Sequence, residues 1–88
     1  MSCISAHDPQ LARLADASRI PHVNEGCRRN YALFIDADYP RAFAISPDRH
    51  CGYAFGGQDP STRAIGFCQR NAKEPCRLYA VDDSIVWK

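Results

Sequence analysis

Apolar and polar positions change period near residue 40, which predicts helices in the first part of the chain and strands in the rest. Asp8 followed by Pro9 is typical of a helix start, because an N-cap acid precedes proline at the first helical position. The helix that follows carries a short apolar stripe to about Ser18, and Pro21 stops it.

A second helix is predicted from Asn24, which can cap it, to a stop between Asp36 and Pro40. Cys27, Tyr31 and Phe34 or Ile35 then recur at the spacing of one helix face. We expect that face to pack against the rest of the domain.

From residue 41 the pattern alternates. Residues 41–46 read as a strand with Phe43 and Ile45 on one face and alanines on the other. Residues 47–50 form a turn, because proline presets φ and aspartate binds nearby backbone. Residues 51–56 return as the partner strand, and a Gly-Gly pair ends it. The segment is a predicted β-hairpin.

A third helix is predicted from the Asp59-Pro60 signal to about Lys73, with Ile65 and Cys68 on its apolar side. Residues 76–81 and 85–87 form a second hairpin around an Asp-Asp-Ser turn, for which ordinary turn chemistry is a better explanation than a calcium loop. Residues 1–88 are therefore a single α+β domain, with a helical part (1–40) and a ββαββ part (41–88). Its antiparallel sheet has about four strands.

The charge and the apolar content of the chain argue against two classes of function, nucleic-acid binding and membrane insertion. The chain has 88 residues, with 11 basic and 10 acidic side chains, so its net charge is +1. That balance argues against an extended nucleic-acid footprint. No apolar stretch approaches the length of a membrane span. We therefore expect an unknown protein or a small ligand as partner, and a monomer or weak dimer.

The motifs of the second half resemble those of a family of small proteobacterial domains of unknown function. The shared features are a hairpin (40–57), a Cys-bearing helix that includes Cys68, and a closing segment from Cys76 to Trp87. Members of that family often carry signal peptides, and no activity carries over to this chain. The chain departs from the pattern at His50 and Cys51, which replace a glycine and a bulky aromatic residue.

The resemblance makes Cys68 and Cys76 the family-like cysteine pair. They lie eight positions apart across a helix-to-strand corner, where a disulfide is geometrically easy. Five cysteines favour a periplasmic or secreted protein, although the first residues lack the features of a signal peptide. The chain is therefore either cytosolic or missing its signal, and the pairing of Cys3, Cys27 and Cys51 stays open.

No catalytic residue, cofactor or metal site is assigned from the sequence. His50 and Cys51 are adjacent, but neighbouring side chains on a strand point to opposite faces, so the histidine is poorly placed to activate the thiol. A zinc or copper site is a weaker possibility, because its ligands would converge from separate segments. Those ligands would be Cys3, His7, His22, His50 and Cys51.

Aromatic residues on the predicted strands are the remaining candidate surface. If helices cover both faces of the sheet, these rings are core; otherwise some form a patch for a partner or small ligand. The candidate residues are Tyr53, Phe55, Tyr79 and Trp87, with Arg41 and Arg77 nearby. The expected function is a non-enzymatic accessory or interaction module of the bacterial envelope. The alternative is a small protein that uses its thiols for metal binding or redox handling.

Overall fold

A computed structural model describes residues 14, 20–21 and 24–87 of the chain. Within these residues, two helices and four strands follow one another in the order αββαββ, which is the order expected from the sequence once the first predicted helix is left out. That helix lies outside the described residues except for Leu14, which is buried. The elements are α1 (Glu25–Ile35), β1 (Arg41–Ile45), β2 (Cys51–Phe55), α2 (Pro60–Gln69), β3 (Arg77–Val81) and β4 (Ser84–Ile85).

The four strands form one antiparallel sheet in the order β2-β1-β3-β4. β1 is central, and all five of its residues are buried. Its pairing with β2 runs from Arg41 opposite Phe55 to Ile45 opposite Cys51. The α+β class and the two hairpins predicted from the alternating pattern are confirmed.

α2 covers the face of the sheet that carries small side chains. Ala42, Ala44 and Ala54 from the sheet pack there against Ala64 and Cys68 of the helix. The helix approaches very closely at Gly52, where an added Cβ would lie 2.3 Å from the Cys68 backbone nitrogen and 2.5 Å from the Ala64 carbonyl oxygen. Glycine at this position lets helix and sheet backbones touch.

α1 covers the opposite, aromatic face. Tyr31 and Phe34 are fully buried there, and the Tyr31 ring meets Phe43 edge-on at 4.9 Å between ring centroids. The Tyr31 hydroxyl donates a hydrogen bond to the Leu14 carbonyl, and burial raises the pKa of this phenol above its usual value. The helix face predicted from Cys27, Tyr31 and Phe34 is confirmed.

Three local features differ from the sequence expectation. α2 ends at Gln69 instead of Lys73, because the Gln69 side chain itself bonds the following backbone at Ala72, Glu74 and Cys76. The last strand is only two residues long. β3 contains a bulge at Tyr79, because Ala80 pairs with Phe43 and Leu78 pairs with the next residue of β1. The bulge lets Tyr79 and Ala80 both join the aromatic core.

Candidate functional site

β2 is an edge strand of the sheet, and no other described strand pairs with its outer side. Hydrogen bonds from Ser46 N–H to the His50 carbonyl (3.0 Å) and from Gly56 N–H to the Pro40 carbonyl (2.7 Å) fix the alternation of the β1–β2 ladder. The even-numbered residues of β2 therefore bond to β1, while the backbone groups of Cys51, Tyr53 and Phe55 point away from the sheet.

These outward backbone groups are largely unoccupied. The Phe55 carbonyl accepts a hydrogen bond from Arg63 at 3.3 Å. The N–H groups of Cys51, Tyr53 and Phe55 have no partner within the part of the chain that the structure describes. The strand can thus accept another strand along its edge.

Aromatic rings run from the core to this edge. The Phe43 and Tyr53 rings are nearly parallel with centroids 6.4 Å apart, and Tyr53 stacks on Phe55 in the same way at 6.3 Å. Tyr53 is half-buried and Phe55 is 50% exposed. On the other side of β2, Phe67 of α2 is also exposed, and the Arg70 guanidinium lies over its ring.

Tyr79 and Trp87, the other two rings of the predicted aromatic surface, do not lie beside Phe55. Tyr79 is buried in the aromatic core, so its place in an exposed patch was wrong. Trp87 follows β4, the strand at the opposite edge of the sheet from β2, and packs against the aromatic core, with the Arg77 guanidinium 4.9 Å from the centre of its ring. The structure thus brings together Tyr53 and Phe55 and places the other two rings elsewhere.

Arg41 does not belong to a binding surface, and this prediction was also wrong. Its side chain is buried, and its guanidinium donates to the Phe34 carbonyl at 2.9 Å and to the Asp83 carboxylate at 2.9 Å. It also reaches the carbonyls of Ile35 and Ala37. Arg41 therefore caps the C-terminal end of α1, where helix carbonyls lack partners and the dipole favours a cation.

A cleft of about 580 Å³ opens beside the start of β2, between α1 and the turn that joins β1 to β2. Two arginines, one histidine and three asparagines line it. Among the described residues, no acidic side chain does so. The complete described lining is Asn24, Gly26, Cys27, Arg29, Asn30, Leu33, Arg49, His50, Cys51 and Asn71.

Two disulfides link the helices to the sheet. Cys68–Cys76, the pair implied by the family resemblance, joins α2 to the start of β3 with sulfurs 2.08 Å apart. Cys27–Cys51 joins α1 to β2 and forms part of the cleft. Its pairing could not be read from the sequence, because the two cysteines are 24 positions apart and meet only when α1 packs on the sheet.

The second disulfide changes what His50 and Cys51 can do. With Cys51 bonded to Cys27, the pair has no free thiol for nucleophilic catalysis or metal ligation. Across the described residues, no group of three or more histidine, cysteine or acidic side chains is arranged to hold a metal ion. Cys3, His7 and His22, the other members of the predicted ligand set, lie outside the described residues.

Asp48 holds the turn beside the cleft. Its carboxylate accepts hydrogen bonds from the Ser46 hydroxyl at 2.6 Å and from the Lys73 backbone N–H at 2.8 Å. These two bonds, the Ser46 one foremost, lower the pKa of Asp48 below its usual value. The turn is thereby fixed to the segment that follows α2.

Comparisons with known proteins leave the function open. No protein-family model, curated protein or solved structure matches this chain. The resemblance to the small proteobacterial domains therefore stays a prediction. In the described part of the chain, no helix has the length and apolar character needed to cross a membrane.

Proposed function

We propose that this protein is a non-enzymatic interaction module of the bacterial envelope that binds an extended, acidic segment of a partner protein along β2. The observation that carries the proposal is the open edge of that strand. Its outward N–H groups at Cys51, Tyr53 and Phe55 have no described partner, and none of its five residues is charged.

An edge strand with unpaired backbone groups is a template for pairing with a strand of another chain. Proteins usually blunt their sheet edges with lysine, proline or a bulge. β2 has none of these, since its sequence is Cys-Gly-Tyr-Ala-Phe and its register with β1 is regular. Main-chain hydrogen bonds along the edge would supply affinity for an added strand.

Side chains on both sides of β2 define what the added strand should look like. Tyr53 and Phe55 offer apolar contact on the aromatic face, and Phe67 offers it on the other face. Because the side chains of a strand alternate between faces, a segment with apolar residues at alternate positions fits this surface.

Arginines give the surface its charge preference. Arg63 donates to the carbonyls of Phe55 and Gly56, and Arg70 lies over the Phe67 ring. Arg49 stands at the other end of β2. These cations attract an acidic segment and repel a second copy of the same surface, which would bring arginines against arginines.

The cysteines support the proposed location. Disulfides persist in oxidising environments and are rare where thiols are kept reduced. The described residues contain two disulfides, which is typical of an oxidising environment. We therefore propose a periplasmic or secreted location, which the two disulfides and the family resemblance support.

The test uses a defined probe. An eight-residue peptide that alternates glutamate with valine or phenylalanine is titrated into the full chain by calorimetry. Its matched control has lysine in place of glutamate. We expect the glutamate peptide to bind at least about tenfold more tightly at low salt, because the charges flanking β2 are positive. Equal affinity of the two peptides, or no binding of either, would overturn the proposal.

Two variants test the strand addition itself. Tyr53→Pro removes an outward N–H without removing a β1–β2 hydrogen bond, and Tyr53→Ala removes the same ring but keeps that N–H. Binding should therefore be lost in the proline variant and only weakened in the alanine variant. If wild-type protein sediments as a dimer that Tyr53→Pro dissociates, a second copy occupies the edge and the acidic partner is ruled out.

A further inference from the structure

The two disulfides differ in their access to solvent. Cys68 is fully buried beneath α2, and Cys76 is 7% exposed. Cys27 is 4% exposed, but its partner Cys51 is partly exposed, and both line the cleft beside β2. The Cys27–Cys51 bond thus borders a cleft that is open to solvent, whereas packing shields the other bond.

The cleft is built to receive negative charge. Arg29, Arg49 and His50 line it, and no acidic side chain does so among the described residues. The Asp48 carboxylate lies 3.9 Å from the His50 imidazole and outside the lining. The Asn30 side-chain amide lies 3.8 Å from the Cys51 sulfur and donates toward it. Cationic walls raise the local concentration of anions, and an amide donor stabilises negative charge on sulfur.

Cys27 is well placed as a leaving group. It lies in the first turn of α1, where its backbone N–H donates to the Asn24 side chain at 2.9 Å. The positive end of the helix dipole stabilises negative charge on its sulfur. Exchange is faster when the departing thiolate is better stabilised.

We propose that the cleft is a thiol–disulfide exchange site for small thiols that carry a carboxylate or sulfonate group. The thiolate attacks the Cys51 sulfur, a mixed disulfide forms there, and the electron pair of the broken S–S bond leaves on Cys27. A second thiolate attacks the small-molecule sulfur of the mixed disulfide and expels Cys51. Two thiols are thereby oxidised to one disulfide, and their two protons pass to Cys27 and Cys51. This activity does not depend on partner binding at β2.

The experiment compares two thiols of equal chain length and opposite charge, 2-mercaptoethanesulfonate and 2-mercaptoethylamine. Full-length oxidised protein is treated with each, quenched in acid, alkylated and mapped by mass spectrometry. Parallel reactions use Arg29→Gln with Arg49→Gln, and Arg77→Gln serves as a charge control outside the cleft. Repeating the reactions with Cys3→Ser removes the contribution of the fifth thiol.

We expect the mixed disulfide on Cys51 and reduction of Cys27–Cys51 before Cys68–Cys76. The rate ratio of the anionic to the cationic thiol should fall about tenfold in the Arg29/Arg49 double variant and stay unchanged in Arg77→Gln. Comparing this ratio between variants cancels the difference in intrinsic reactivity between the two thiols. Reduction of Cys68–Cys76 first, or an equal ratio in wild type and double variant, would overturn the proposal.

Discussion

Gly52 sets the distance between the sheet and α2. A side chain at this position would enter the backbone of the helix, which cannot yield as a flexible side chain can. The alanines at positions 42, 44 and 54 serve the same close approach, since each presents only a methyl group to α2. Small side chains on this face of the sheet therefore allow α2 to pack close to the strands.

Gly52→Ala should lower the free energy of unfolding by about 2–3 kcal/mol, as overpacking of a tight interface does. Gly66→Ala is the matched control on α2, because an added Cβ there meets no atom within 4 Å. That variant should gain about 0.5–1 kcal/mol from helix propensity. Urea denaturation measures both, and equal values for the two variants would contradict the packing account.

Asp48 makes stability depend on acidity. Its pKa is lowered in the folded protein. The hydrogen bonds of the ionised carboxylate therefore contribute fully to the free energy of unfolding above the usual aspartate pKa of about 4, and this contribution is lost as the pH falls through the lowered pKa. Asp48→Asn should therefore be less stable than wild type at pH 7, and the difference should shrink below about pH 4. Asp38→Asn, at an exposed site, is the matched control. Parallel profiles for wild type and Asp48→Asn would refute this role.

At the scale of elements, the sequence predicted those features that depend on residues close together in the chain. Asn24 caps α1 through its bond to the Cys27 N–H, and Asp59 caps α2 through the Thr62 N–H, as the sequence indicated. The alternation of Phe43 and Ile45 with alanines correctly assigned the two faces of β1.

Features that depend on distant contacts escaped prediction. Arg41 looks like a surface cation in the sequence, but the end of α1 and the β3–β4 turn converge on it. The order of apolar and polar residues in β3 does not indicate the bulge at Tyr79. The open edge of β2 follows from strand order, which the hairpin pattern alone does not determine.

The two disulfides should contribute unequally to the attachment of the helices. In the chain-entropy model, the 24-residue separation of Cys27–Cys51 gives about 3.4 kcal/mol, and the 8-residue separation of Cys68–Cys76 gives about 2.5 kcal/mol. Replacing each pair by alanines should lower the melting temperature accordingly, with the larger loss for Cys27/Cys51. Cys3→Ala, which changes neither bond, is the calorimetric control. An unchanged melting temperature in either double variant would contradict this account.

At the scale of the whole molecule, the described helices cover both faces of the sheet, and no described segment pairs with the outer edge of β2. α1 and α2 pack on opposite faces, and each is tied to the sheet by one disulfide. That construction gives a rigid support for β2, while the exposed Phe55 and Phe67 flank its free edge. A rigid, uncharged edge with arginines around it is what the proposed acidic partner strand requires.

The most direct test of this account is residue-resolved amide hydrogen exchange of β2, with and without the glutamate peptide. In the free protein, the amides of Gly52 and Ala54 should exchange slowly because they bond to β1, and those of Cys51, Tyr53 and Phe55 should exchange fast. Saturating peptide should slow the three outward amides and leave the other two unchanged. Outward amides already protected without peptide, or still fast when the peptide is bound, would contradict strand addition at this edge.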